Sequence, residues 1–351
     1  MLAKIAEIWY YEVMKINLKI SKLANQFFFI SNLSEWHFSC RKAYNEKWIE
    51  MTSPLNEQEE LFLQNFCKII QKYGFQHDKN WKSKYLGQYF YFYSEKQAWD
   101  ELKKAVTKNE FNDLKETFEI FNSRFEKIWK LKDQDDRIER LKRSLKDKNY
   151  KSLLDDTEKI FGNSKDNKVD IIILFSPLGC DETGSGSANI GSEHITFEIP
   201  KLKVDTWQMD YTMGVLAHEI GHMLFRKNKG EDLILYIIKK LKLPLEIENI
   251  SMKSTVSIIN EAITESFVPI GYLGQKYAKT NIAPLLLDNL EKGQTALDDF
   301  REGKSIDYYS AFNKYLIWQL YPLAIQYGRN KKPIDEYCME QVGLLIKKVL
   351  E

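Results

Sequence analysis

Only two of the sixteen glycines, Gly74 and Gly87, precede residue 160 of this 351-residue chain, while eight lie between Gly162 and Gly230. Glycine supplies the tight turns and close backbone approaches that short elements need. A charged first half so poor in glycine predicts helices from about residue 35 to 160, with turns concentrated in the middle of the chain. The periodicities agree. Phe111, Leu114, Phe118, Phe121, Phe125 and Ile128 recur at spacings of three and four, one apolar seam of a long amphipathic helix. The seam is expected to pack on the chain's own helices. A helix-mediated contact of residues 105–130 with a partner is the alternative. The charges of 132–151 read as a solvated helix face.

Residues 14–31 read as two short strands about a turn at Leu23–Asn25, because Ile16, Leu18 and Ile20 alternate with Asn17, Lys19 and Ser21. Val169–Phe175 is a β-branched run suited to a buried strand. A Gly/Ser-rich loop over Gly179–Gly186 precedes two further strands, Ser187–Ile190 and His194–Ile199. Helices are expected over 205–227, 256–279, 306–328 and 334–350, with another at Asp232–Leu241 ended by Pro244. The fold class is therefore α+β: mostly helical, with a small mixed sheet and a helical C-terminal lobe.

Lys+Arg (51) and Asp+Glu (50) nearly cancel, which argues against a strongly basic nucleic-acid binder. Purely apolar runs such as Ile171–Phe175 are far too short to span a membrane. Lys4, Glu7, Glu12 and Lys15 spoil a signal-peptide reading, and a start at Met14 is an open alternative. Cys40, Cys67, Cys180 and Cys338 form no C-x-x-C pair and read as reduced thiols, so a cytoplasmic location is expected.

There are only five histidines, His37, His77, His194, His218 and His222, and the last two stand four apart in MGVLAHEIGHMLF. On a helix those two share a face and can aim imidazole nitrogens at one metal ion at about 2.0–2.1 Å. Glu219 projects about 100° round the helix, where a general base can reach a water without being a ligand. Met213, Leu216, Ala217, Ile220 and Leu224 form a separate apolar stripe that would bury the helix. Gly221, unfavourable in a helix interior, suggests close packing beside His222. His37, His77 and His194 lack ligand-spaced partners and read as structural, although His194 begins a strand near the proposed sheet edge and could contact substrate.

Catalytic zinc takes three protein ligands. A third histidine at the H-E-x-x-H-x-x-G-x-x-H position fails, because Phe225 and Asn228 occupy the last glycine and histidine places. Downstream, INEAITESF puts Glu261 and Glu265 on one helix face; one carboxylate can bind metal while the other accepts a histidine N–H.

HEIGH at 218–222 with NEAITE at 260–265 resembles the gluzincin metallopeptidases, the class of thermolysin and the aminopeptidase N-like enzymes. The resemblance implies one Zn2+ per chain held by His218, His222 and Glu261, with Glu219 as general base and Glu265 orienting a ligand histidine. It makes 161–351 a catalytic domain and leaves 1–160 as N-terminal strands plus a helical region. The 38 residues of 223–260 are a longer insert than in the tightest family members. The resemblance further implies a peptide or protein substrate paired to an edge strand, for which Gly186, Ser187, Ala188 and Asn189 are the candidates. SGSANIG lacks the glutamate that aminopeptidase-type members place there, which favours an endo- or oligopeptidase. No histidine follows Glu261, so a tyrosine is expected as oxyanion donor. Tyr308 and Tyr309 resemble the family placement, with Tyr272, Tyr315, Tyr321 and Tyr327 as competitors. Neither a nucleic-acid nor a membrane partner is expected. A scaffold protein with a vestigial metal site, a hydrolase of a non-peptide amide, and a divalent ion other than zinc all stay open.

Overall fold

A computed structural model describes residues 7–10, 14–37, 40–73, 76–77, 83–84, 86–129, 133–162, 167–177, 187–191, 194–199, 206–278, 293–307 and 312–351. It is α+β and mostly helical, as expected. Two compact units run through the chain and neither is contiguous. One comprises Met1–Trp9, Ile16–Lys142 and Val169–Val204; the other comprises Tyr10–Lys15, Arg143–Lys168 and Asp205–Glu351. A single cut after residue 160 does not describe them. Strand pairing carries 169–199 to the N-terminal half, and helix packing carries 148–161 to the C-terminal half.

The first unit holds a five-stranded sheet in the order β1-β2-β5-β7-β6, with β1 Glu7–Tyr10, β2 Met14–Ile20, β5 Asn167–Phe175, β6 Ser187–Gly191 and β7 His194–Ile199. A separate two-stranded pair is β3 (Gln76–His77) with β4 (Ser83–Lys84). β5 and β7 are parallel, from Asp170↔His194 to Phe175↔Ile199, and β6 is antiparallel to β7, so the sheet is mixed. The helices are α1 (Lys22–Leu33), α2 (Lys42–Thr52), α3 (Glu57–Tyr73), α4 (Gly87–Phe92), α5 (Glu95–Ala105) and α6 (Lys108–Trp129). They enclose an aromatic core of Phe27, Phe29, Trp48, Phe66, Phe90, Phe118 and Phe121, closed by Ile172 and Leu174 of β5.

One expectation changes here. Residues 22–33 are helix, not a second strand. Ser21 caps the helix by accepting from the Ala24 N–H at 3.1 Å, and Leu23, Ala24, Phe27 and Ile30 bury one face. Asn25 then reaches β5 from α1: its amide donates to the Ile173 carbonyl and its Oδ1 accepts from the Phe175 N–H, each at 2.9 Å. The α6 seam is internal. Leu114, Phe118, Phe121 and Phe125 are buried in the unit's own core and Phe111 and Ile128 pack against it.

α7 (Asp133–Lys146) leads to the second unit: α8 (Lys148–Phe161), α9 (Thr206–Lys227), α10 (Gly230–Leu241), α11 (Thr255–Phe267), α12 (Tyr272–Ala278), α13 (293–301), α14 (Asn313–Asn330) and α15 (Glu336–Leu350). α9 packs on α8, α10, α11 and α12, and α11 also packs on α14. The predicted stripe of Met213, Leu216, Ala217, Ile220 and Leu224 is completely buried. Phe161 of α8 meets Phe225 of α9 and Phe267 of α11 edge-on. The helix expected over 256–279 is two helices, broken where Pro269 cannot continue α11. The helix expected from 306 starts at Asn313.

Among the described residues no helix is long and apolar enough to cross a membrane. Cys40, Cys67 and Cys338 are free thiols, and Cys180 lies outside the described residues.

Candidate metal centre

Helices α9 and α11 of the second unit bring three donors together. His218, His222 and Glu261 offer ligand atoms that all lie within 4.8 Å of one another. The two Nε2 atoms are 2.8 Å apart. Glu261 Oε2 stands 3.5 Å from His218 Nε2, and Oε1 stands 3.4 Å from His222 Nε2. Both histidines are buried, and the Glu261 side chain is 20% exposed. Four-residue spacing on a buried α9 sets the imidazoles edge to face, and α11 delivers the carboxylate because Ile258, Ile259, Ala262 and Ile263 bury its other faces.

The far side of each ring fixes its tautomer. His218 Nδ1 lies 3.0 Å from the Val268 carbonyl, which can only accept, so this nitrogen carries a proton. His222 Nδ1 lies 3.2 Å from Asn260 Oδ1 and 3.3 Å from Thr264 Oγ1. The Thr264 hydroxyl spends its proton on the Asn260 backbone carbonyl at 2.8 Å, so it too accepts from His222. Both rings thus donate from Nδ1 and turn Nε2 toward the Glu261 carboxylate. With both Nε2 atoms deprotonated three acceptors converge, an arrangement that could hold a cation; without one, a proton on Nε2 donates to Glu261 instead.

The charges follow that geometry. Burial alone would lower His218, but the hydrogen bond and charge of Glu261, with Glu219 and Glu265, push it up to about 10. Burial would raise Glu261, yet the charge of His222 and the hydrogen bonds of both histidines hold it well below the usual carboxylate range. Glu265 moves the other way, up to about 7, through burial and the charge of Glu261.

Glu219 is buried on α9 with its charge acting on His218, and it is not among the three clustered donors. Glu265 does not take the expected role. Its Oε2 accepts from Asn313 Nδ2 of α14 at 2.8 Å, while the Val268 carbonyl stands behind His218 and Asn260 and Thr264 stand behind His222. Asn260 and Thr264 are orienting residues that the ligand pattern did not assign, although both lie within NEAITE at helical spacing. Gly221 is closely packed but not sterically required: an added Cβ would meet Thr264 Cγ2 at 3.4 Å and Phe161 at 3.5 Å.

Tyr308, Tyr309 and Gly186 lie outside the described residues. Of the competing tyrosines, Tyr321 donates to Gln275 at 2.7 Å and Tyr327 to Asp335 at 2.5 Å. Ser187, Ala188 and Asn189 belong to β6, an edge strand of the sheet in the first unit. His194 is structural, bonded at 3.2 Å to the buried Asp170 and packed on Phe92. His37 stacks on Trp36, and His77 is described in backbone only, within β3. In comparisons with known proteins, no family model, no curated protein and no solved structure matches this chain.

Proposed function

We propose that the protein is a zinc-dependent metallopeptidase, with an endo- or oligopeptidase favoured over an aminopeptidase. The observation that carries this reading is the orientation of the rings: both Nδ1 atoms face acceptors away from the cluster, and both Nε2 atoms converge on Glu261. Atoms held about 2.0–2.1 Å from one tetrahedral metal stand about 3.3 Å apart. The two Nε2 atoms are 2.8 Å apart, and Glu261 offers a different oxygen to each, at 3.4 and 3.5 Å; these separations are of that order and support a shared ion. Two imidazoles and a carboxylate are also a known catalytic zinc set, distinct from the four protein ligands of a purely structural site.

His218, His222 and Glu261 would hold the metal. When bound, zinc acts as a Lewis acid toward a carbonyl and lowers the pKa of water. Glu219 takes the proton from the attacking water and returns it to the leaving amine. The α9 stripe fixes Glu219 relative to both histidines, because a buried helix cannot rotate without exposing Met213, Leu216 and Ile220. Metal analysis alongside a quenched-peptide library tests the reading. Glu219→Gln is expected to retain zinc and lose peptide hydrolysis; wild-type turnover by that variant refutes the mechanism. Zinc binding by the wild type without turnover of any peptide would favour a non-catalytic metal site instead.

A further inference from the structure

We propose that the Val268–Gly271 turn is a positioning device for His218, and that Gly214 is the residue that lets it seat. The inference rests on the metal-centre reading and adds residues to it that carry no metal-ligating chemistry of their own. Gly214 precedes His218 by four residues, so both occupy one face of α9. Pro269 stands against that face. A Cβ added at Gly214 would lie 2.9 Å from Pro269 Cβ, 3.2 Å from its Cα and 3.3 Å from its carbonyl oxygen. Two of those atoms are backbone and proline has no rotamer to swing aside, so any side chain at 214 must push the turn off the helix. The carbonyl that accepts from His218 Nδ1 at 3.0 Å belongs to Val268, the neighbour of Pro269.

The turn is held on its other side as well. The Val268 N–H donates to the Thr264 carbonyl at 2.9 Å, which closes α11. Gly271 doubles back so tightly that a Cβ there would fall 2.0 Å from the Ser266 oxygen and 2.4 Å from the Phe267 nitrogen. Its own carbonyl then accepts from the Gln275 N–H at 3.0 Å and starts α12. The turn is therefore clamped between α9 and the end of α11, and its one inward-facing product is the oxygen on His218. Loss of such an outer partner typically weakens metal affinity about 10–100-fold.

The test uses zinc affinity, measured by competition with a chromophoric chelator, and nitrogen-15 NMR of histidine-labelled, zinc-loaded protein. Gly214→Ala should bind zinc about 10–100-fold more weakly than wild type, with the His218 Nδ1–H signal shifted and that of His222 unmoved. Gly221→Ala, whose new Cβ meets only ordinary contacts at 3.4 and 3.5 Å, should stay close to wild type. Adding Pro269→Gly to Gly214→Ala removes the 2.9 Å contact and should restore part of the affinity. Gly214→Ala affinity within about twofold of wild type overturns the proposal, since the typical loss is tenfold or more. Should that variant fail to fold, the wild type decides: a proton on His218 Nε2 rather than Nδ1 overturns it. A wild type that binds no zinc sinks the peptidase reading and this inference together. Tight wild-type binding that Gly214→Ala leaves unchanged sinks this inference alone.

Discussion

His222 has two acceptors behind it, and that redundancy can be measured. Asn260 Oδ1 at 3.2 Å and Thr264 Oγ1 at 3.3 Å share the one Nδ1 proton. Asn260→Ala removes the first and leaves the second in place, because the Thr264 hydroxyl is anchored by its bond to the Asn260 backbone carbonyl, which the substitution retains. The single variant should therefore fall at the small end of outer-partner effects, about tenfold in zinc affinity or 1.4 kcal/mol. Thr264→Val alone keeps the amide acceptor and should cost about as little. The double variant leaves the buried Nδ1–H with no acceptor, and should lose about 100-fold, near 2.7 kcal/mol. Chelator competition at fixed pH reads all four proteins of this cycle. Circular dichroism checks that α11 persists, since Val is close to Thr in shape at this fully buried site. A double variant that binds zinc like wild type would refute the view that these two acceptors orient His222. An Asn260→Ala loss equal to that of the double variant would show that Thr264 contributes nothing.

Two further predictions concern the scaffold. In the first unit Glu59 receives Arg124 Nε at 2.5 Å and Nη2 at 2.6 Å, and that bidentate bond is the main cause holding its carboxyl below the usual range. Arg124→Met leaves a buried carboxylate unpaired and should cost about 3–5 kcal/mol in urea unfolding; an unchanged midpoint would refute the pair's role. In the second unit Asp156, almost fully buried, accepts from Tyr277 at 2.5 Å and pairs with Lys331 at 2.8 Å. Burial would raise its carboxyl, but Lys331 and Tyr277 hold it below the usual range. A depressed carboxyl stabilises the fold above its unfolded pKa near 3.9, and that contribution fades as pH falls toward the folded value. The lysines remain about half in water, so Asp156→Asn should cost only about 2 kcal/mol at neutral pH and flatten the acid limb of the stability profile. An acid limb identical to wild type would refute it.

The parts of this protein legible in its sequence are those where side chains carry the information at helical spacing. HEIGH and the stripe from Met213 to Leu224 share one helix, and the α6 seam is buried as its spacing implies. The misread stretch, 22–33, has Phe27, Phe28, Phe29 and Ile30 in a row, which suits either period. Its helix is favoured by Asn25, whose two bonds complete the backbone of a strand some 150 residues away, a partnership no local pattern announces. Glu265 exposes a subtler limit. Four-residue spacing from Glu261 correctly puts both on one helix face, but a shared face does not give a shared target. The place behind His218 was already filled by the Val268 carbonyl, brought there by a chain reversal that depends on Pro269 and Gly271. A backbone oxygen is present at every position and so leaves no signature. Its trace is steric instead, in Gly214 one turn before the first histidine and in the V-P-I-G that follows the second carboxylate. Searching for the outer partner of a helical ligand therefore means looking for glycines one turn away on the same face, as well as for carboxylates.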